Sequence, residues 1–282
     1  MELAFYKMEG AGNDYVFVDA ISQRFPLGRA AELARQWSDR HRGIGADGLI
    51  LLLPGSAGGE VAMRMWNADG SEGAMCGNGL RCLAALAAAL GHARGRGAIR
   101  VATPAGLRSV TLGPLGTDGF ATSARADLGA VHVGSPCRWQ VGGHTLEVLP
   151  ADAGNPHAVV FVEGDLEAHP VAELGLAFQA HPVFPGGVNV EFVRATAQGL
   201  WCRVFERGSG ETLACGTGAA AAALAARTVG CFPGNPVPVH MRGGTLLVHD
   251  EGTGIVLEGP VRHAYRGIVA VQSSAVPCAV EP

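Results

Sequence analysis

Two cysteines stand in nearly the same surroundings in the two halves of this sequence. Cys76 lies in Ala74-Met75-Cys76-Gly77-Asn78-Gly79 and Cys215 in Leu213-Ala214-Cys215-Gly216-Thr217-Gly218, and each leads into an alanine-rich run with strong helix propensity. A cysteine at a helix start sits among backbone N–H groups without intrahelical acceptors, at the positive end of the helix dipole. Both effects are expected to favour the thiolate and to lower the thiol pKa from its free value of about 8.5. The same N–H groups bind a carboxylate, and flanking glycines let a ligand come close to the backbone. If the two helix starts face each other, one carboxylate lies between them with a sulfur on each side of its α-carbon. One thiolate then removes the α-proton from one face while the opposite thiol protonates the other, which inverts the carbon. Backbone donors stabilise the charge that builds on the carboxylate.

A lone cysteine at a helix start is most often a packing residue. The duplicated setting is what argues for chemistry here. Cys82, Cys137, Cys202, Cys231 and Cys278 have no such partner and read as structural or incidental. Other chemistries fail on spacing. The chain has no C-x-x-C, no H-x₃₋₅-H and no cysteine–histidine cluster, so no metal site is expected. No G-x-S-x-G stands between a strand and a helix. The Gly10-Ala11-Gly12-Asn13 turn lacks the Lys-Ser/Thr of a phosphate loop. Lys7 is the single lysine, so a pyridoxal-phosphate enzyme would have to build its Schiff base there. No cofactor is expected.

The elements that must position the cysteines repeat as well. In the first half, residues 3–8, 15–19, 49–53 and 61–67 read as strands, residues 30–40 as a helix, and residues 80–90 as the helix after Cys76. In the second half, residues 158–163, 188–194 and 200–206 read as strands and residues 219–229 as the helix after Cys215. The cysteines lie 139 positions apart, near half of the 282 residues, which marks an internal duplication. The expected fold is α/β (α+β): two similar domains, each a central helix wrapped by strands, with the active site in the cleft between them. Residues 1–117 form the first domain, completed by a C-terminal strand near 266–272. Residues 118–265 form the second, and 273–282 a loose tail.

Composition agrees with a folded globular protein: 48% of residues are apolar and 16% charged. A net charge of -4 gives no reason to expect nucleic acid or an anionic membrane as partner. The longest apolar run, residues 83–90, is too short to cross a bilayer, and the N-terminal residues do not read as a signal peptide. Seven scattered cysteines fit a reducing compartment, so the cytoplasm is the expected location.

Several segments in order give the sequence its likeness to a known family. They are Gly10-Ala11-Gly12-Asn13-Asp14, Arg40-His41-Arg42-Gly43-Ile44-Gly45-Ala46-Asp47-Gly48, Asn67-Ala68-Asp69-Gly70-Ser71, Met75-Cys76-Gly77-Asn78-Gly79-Leu80-Arg81-Cys82, Gly154-Asn155-Pro156-His157 and the run from Glu206 to Gly218. Along essentially its whole length the chain resembles the diaminopimelate epimerases. These pyridoxal-independent isomerases interconvert LL- and meso-2,6-diaminopimelate on the route to lysine and peptidoglycan precursors. The resemblance implies that Cys76 and Cys215 are the acid/base pair and that His157 and Glu206 tune them. It implies that Gly77, Asn78, Gly216 and Thr217 cradle the reacting carboxylate. Asn13, Asn67, Asn155, Asn189, Glu206 and Arg207 would bind the amino groups and the distal carboxylate. Tyr265 matches a tyrosine of the family's homodimer contact. Some members carry glutamine where this chain has Gly48, so no substrate contact is assigned there.

Each of these residues also has a plainer role open to it. Asn13 and Asn155 lie in turns, which favour asparagine on backbone grounds. His157 follows a proline, Glu206-Arg207 would serve as a surface ion pair, and Tyr265 as packing. Three rival functions remain: a proline or hydroxyproline racemase-like isomerase, a thiol redox protein with a Cys76–Cys215 disulfide, and a binding-only relative. The first has no need of Arg207 and several asparagines to hold a second carboxylate. The second lacks C-x-x-C, and the third would not need both cysteines.

Overall fold

The computed structural model describes residues 1–93 and 97–271. The tail expected at 273–282, the last position of the strand expected near 266–272, and Cys278 lie outside the described residues.

The order of elements in the first half recurs in the second. Strands Asn13–Asp19 and Gly48–Pro54 run parallel and flank helix α1 (Ala30–Ser38) in sequence. Strands Val61–Asn67 and Glu72–Gly73 follow, then helix α2 (Gly77–Ala89), then the hairpin of Ile99–Thr103 and Gly106–Leu112. In the second half the parallel pair is Pro156–Phe161 and Asn189–Thr196, flanking α3 (Val171–Gln179). Gly199–Glu206 and Gly210–Thr212 come next, then α4 (Gly216–Thr228) and the hairpin of Val237–Met241 and Gly244–Asp250. Ser123–Gly129 pairs antiparallel with Ile255–Pro260, which joins the two halves. The last described strand, Arg262–Ala270, returns to pair antiparallel with Glu2–Gly10 at the chain start.

Alternation along the strands builds a core on each side of each sheet. Tyr15, Phe17, Ile50 and Leu52 pack with Leu80, Leu83 and Leu86 of α2. Their neighbours Val16, Val18, Leu49 and Leu51 point the other way, onto Leu33 and Trp37 of α1. In the second half Val159, Val193, Cys202 and Val204 pack on α4, while Val160, Val190, Phe192 and Phe205 pack on Leu174 and Phe178 of α3. A helix enclosed by strands on all sides needs small residues, and α4 answers with Ala219 to Ala223, Ala225 and Ala226, all fully buried.

Some expected boundaries differ. The helices begin at Gly77 and Gly216, a few residues before the apolar runs at 80–90 and 219–229, because each cysteine caps its own helix. The strand expected at 158–163 spans Pro156–Phe161. Proline at the first strand position loses no ladder bond.

Candidate active site

The first turn of α2 is tied to Cys76. Cys76 is extended, with φ -129 and ψ 123, and its sulfur accepts from the Gly79 N–H at 3.5 Å. Cys215 repeats this at α4, with φ -125 and ψ 119 and the Gly218 N–H at 3.4 Å. The two helix starts meet. A Cβ built on Gly216 would lie 3.9 Å from the Gly77 Cα and 3.8 Å from Asn78 Oδ1. Leu257 Cδ2 lies under both, 3.5 Å from a Cβ at Gly77 and 2.8 Å from one at Gly216, so both positions are tight for any side chain. Glu206 acts electrostatically on both sulfurs.

Around Cys76, the thiol donates to Asn13 Oδ1 at 3.2 Å, and the Tyr15 hydroxyl favours its thiolate. Asn13 Nδ2 donates to Asp47 Oδ2 at 2.6 Å, and the Asp14 N–H reaches the same oxygen at 3.0 Å. This fixes which end of the Asn13 amide faces the sulfur. Arg40 Nη2 bridges Asp14 (2.6 Å) and Asp47 (3.0 Å). Lys7 binds Asp14 and the Gly45 carbonyl. Asn78, buried, donates to Asn13 Oδ1 at 3.4 Å and accepts from Arg81 Nη2 at 2.8 Å.

Around Cys215, the Thr217 hydroxyl lies 3.4 Å from the sulfur, and Thr212 donates to Glu206. His157, wholly buried, bonds Glu191 through Nδ1 at 2.8 Å and Asn155 Oδ1 through Nε2 at 3.0 Å, and neither sulfur. Asn189 donates to the Pro156 carbonyl at 3.2 Å and accepts the Arg207 N–H at 3.0 Å, so it holds the backbone from which the exposed Arg207 side chain projects. Asn67 ends its strand opposite Gly48 and donates to Ser71 at 3.0 Å. At Gly48 a Cβ would lie 2.2 Å from the Trp66 carbonyl oxygen. Tyr265 pairs with Lys7 across the strands, is 45% exposed, and its hydroxyl donates to the Ile44 carbonyl at 3.4 Å.

The expected lowering of the thiol pKa values is not what the structure shows. Burial raises Cys76 above its ordinary value, against the Tyr15 hydroxyl and the Gly79 N–H, and Glu206 adds to the rise. Cys215 is pushed up further, by burial and then by the carboxylates of Glu206 and Glu191. Loss of water outweighs two N–H donors at about 3.5 Å. Glu206 itself is raised, by burial and by Glu191, against hydrogen bonds from Thr212 and Cys215.

The pseudo-twofold relation is close in position and uneven in charge. Gly48 and Asn189 open matching strands, Asn67 and Glu206 close matching strands, and Ile50 and Glu191 are the third residues of the first pair. Tyr15 pairs with Gly48 as His157 pairs with Asn189. The Cys76 half therefore carries Tyr15, Ile50 and Asn67 where the Cys215 half carries His157, Glu191 and Glu206. Tyr15, Asp47, Arg81 and Glu191 were not singled out as site residues from the sequence. Glu191 had one signal, an acid at an apolar position of a strand. Tyr15 reads as an ordinary strand residue. Among the described residues no group of three or more His, Cys, Asp or Glu could hold a metal ion.

The fold is shared by a structural class of duplicated α/β chains. A Bacillus anthracis phenazine biosynthesis protein of the PhzF family aligns with TM-score 0.74 at 16% identity, covering 96% of this chain and all of that one. A probable proline racemase from Agrobacterium radiobacter aligns with TM-score 0.73 at 16% identity, over 96% of this chain and 93% of that one. Sequence narrows the class. The diaminopimelate epimerase family model matches residues 5–126 and 150–264. The diaminopimelate epimerase of Pelotomaculum thermopropionicum is 38% identical over 93% of this chain and 97% of its own, and that of Desulfovibrio desulfuricans is 41% identical over 89% and 92%. The chain belongs to the diaminopimelate epimerase family.

Proposed function

We propose that this protein is a diaminopimelate epimerase that interconverts the LL and meso isomers by proton transfer between Cys76 and Cys215. The observation that carries the mechanism is the meeting of two cysteine-capped helix starts at Gly77 and Gly216. The reacting carboxylate lies against the N–H groups of Gly77, Asn78, Gly216 and Thr217, which offset the charge that grows on it in the transition state. One sulfur takes the α-proton and the other delivers one to the opposite face, and the roles exchange with direction. Burial that raises both thiols also strengthens the thiolate as a base once formed. Asn13, Asn67, Asn155, Asn189, Glu206 and Arg207 bind the amino groups and the distal carboxylate, with the exposed Arg207 guanidinium free to reach the latter. Glu206 tunes Cys215 directly. His157 acts at one remove, through Glu191 and Asn155.

The same reading takes the chain as two domains, 1–117 with the returning strand Arg262–Ala270, and 118–265. It takes the working form as a cytoplasmic homodimer, joined through the face that exposes Tyr265 and Ile268. No described helix is long and apolar enough to cross a membrane.

The test is incubation of reduced protein with LL-diaminopimelate in D₂O, with L-proline in parallel, followed by NMR. Deuterium at the α-carbon together with meso product, and none in proline, is the expected result. Cys76→Ala and Cys215→Ala are each expected to lose at least about 100-fold in rate. Near wild-type turnover by either variant sinks the two-base mechanism, and exchange into proline alone sinks the substrate assignment.

A further inference from the structure

Arg81 is the largest fully buried side chain, and among the described residues it forms no ion pair. It lies in the second turn of α2, five residues after Cys76, and the matching position after Cys215 is Ala220. Its Nη2 donates to Asn78 Oδ1 at 2.8 Å, while Nε and Nη1 are buried without a partner. The slot around it is cut from glycine. A Cβ at Gly259 would lie 2.8 Å from Nη2, and one at Gly10 would lie 3.2 Å from it. Burial lowers its pKa, yet a guanidinium starts so high that it stays charged. A buried, unpaired cation is costly, and an apolar side chain of similar volume is commonly neutral or better for stability. Its presence calls for a use.

Two uses follow from where it sits. Arg81 can only donate, so Asn78 must turn its carbonyl oxygen to Arg81 and its NH₂ toward Asn13, the acceptor of the Cys76 thiol. The charges that act on Arg81 are the sulfurs of Cys82 and Cys76 and the carboxylate of Glu9. Cys76 is faced by Tyr15, Asn13, the Asn78 and Gly79 N–H groups, Glu206, Cys82 and Arg81. Cys215 is faced by Glu206, Glu191 (itself paired with His157), Thr217 and the Gly218 N–H.

We propose that Arg81 is a positioning residue of the Cys76 half of the site, fixing the Asn78 amide and supplying the buried positive charge that makes the Cys76 thiolate easier to form than the Cys215 thiolate. The inference rests on the epimerase reading for its purpose. Its test does not require turnover. Wild type, Arg81→Met and Arg81→Lys are treated with iodoacetamide across a pH series, and modification at Cys76 and Cys215 is followed separately by peptide mass spectrometry. The pH midpoint is the readout, so unequal exposure of the two sulfurs does not confuse it.

In wild type the Cys76 midpoint lies below that of Cys215. In Arg81→Met it rises by about 1 pH unit, the Cys215 midpoint stays, and the melting temperature does not fall. In Arg81→Lys it returns toward wild type. An unchanged Cys76 midpoint in Arg81→Met, an equal shift of both sulfurs, or a wild-type Cys215 midpoint at or below that of Cys76 overturns the proposal. The wild-type comparison holds even if Arg81→Met fails to fold, and that failure would itself assign Arg81 to structure. Midpoints that behave as described in a protein inert toward diaminopimelate would leave Arg81 in place and remove the epimerase reading instead.

Discussion

Gly79 and Gly218 hold the same place in the two halves, and a methyl group added at each would meet the same crowding with different consequences. At Gly79 the new Cβ lies 2.5 Å from Ile50 Cδ1, the end of an apolar side chain that turns aside about one torsion. At Gly218 it lies 2.5 Å from Glu191 Oε1 and 3.1 Å from the same carboxyl carbon. Glu191 is wholly buried, and that oxygen bonds His157 Nδ1 at 2.8 Å. To reach an ordinary contact the carboxylate must retreat by about 1 Å, which breaks its geometry with His157. Alanine in a helix interior gains about 1 kcal/mol over glycine. That gain offsets the modest repacking at Ile50, so Gly79→Ala is expected to stay within about 1 kcal/mol of wild type. Gly218→Ala adds overpacking of about 1–3 kcal/mol and a disturbed buried hydrogen bond, leaving it about 2 kcal/mol less stable than its counterpart. The expected melting difference is about 4–8 °C, measured side by side by calorimetry. Gly218→Ala also moves the N–H that bonds Cys215, so its turnover falls more. Equal melting temperatures, or a lower one for Gly79→Ala, would refute the account of a pinned Glu191 beneath the Cys215 turn.

Three further outcomes are expected. Glu206→Gln removes a carboxylate that raises Cys215 after burial, so the pH midpoint for Cys215 alkylation should fall, and an upward shift would contradict the electrostatics. Asp14 is held below its ordinary 3.8 because Arg40 and Lys7 outweigh the effect of burial. A depressed carboxylate contributes stability that is full above its unfolded pKa and fades as pH falls through the folded one. Asp14→Asn should therefore cost about 2 kcal/mol at neutral pH and progressively less in acid below pH 3.8, read from urea midpoints at each pH. On the homodimer reading, Tyr265→Ala should shift sedimentation velocity toward monomer, and a wild-type sedimentation profile in the variant would count against that contact.

Much of the architecture was legible in residue order. Alternating apolar residues and the alanine runs located the strands at 49–53 and 61–67 and both central helices, since these follow from local propensity and burial period. The helix starts were less legible. Gly77-Asn78-Gly79 and Gly216-Thr217-Gly218 have poor helix propensity and are helical because a cysteine caps each from outside. Helix α3 was not identified. Gly175, a poor helix former, lies within it, and that glycine is required because a Cβ there would lie 2.2 Å from Phe205 Cγ on a distant strand.

That two cysteines occupy equivalent helix-start positions in a duplicated chain is plain from residue order, because a motif and its repeat are properties of that order. It could not say how either sulfur would titrate, because burial and opposed charges come from segments far away in the chain. Folding brings Tyr15 and Asn13 to Cys76, Glu191 and Glu206 to Cys215, and Arg81 into a slot between Gly10 and Gly259. Helix-start donors act over one turn and are readable locally, whereas desolvation depends on everything that closes around the site, and here desolvation prevails.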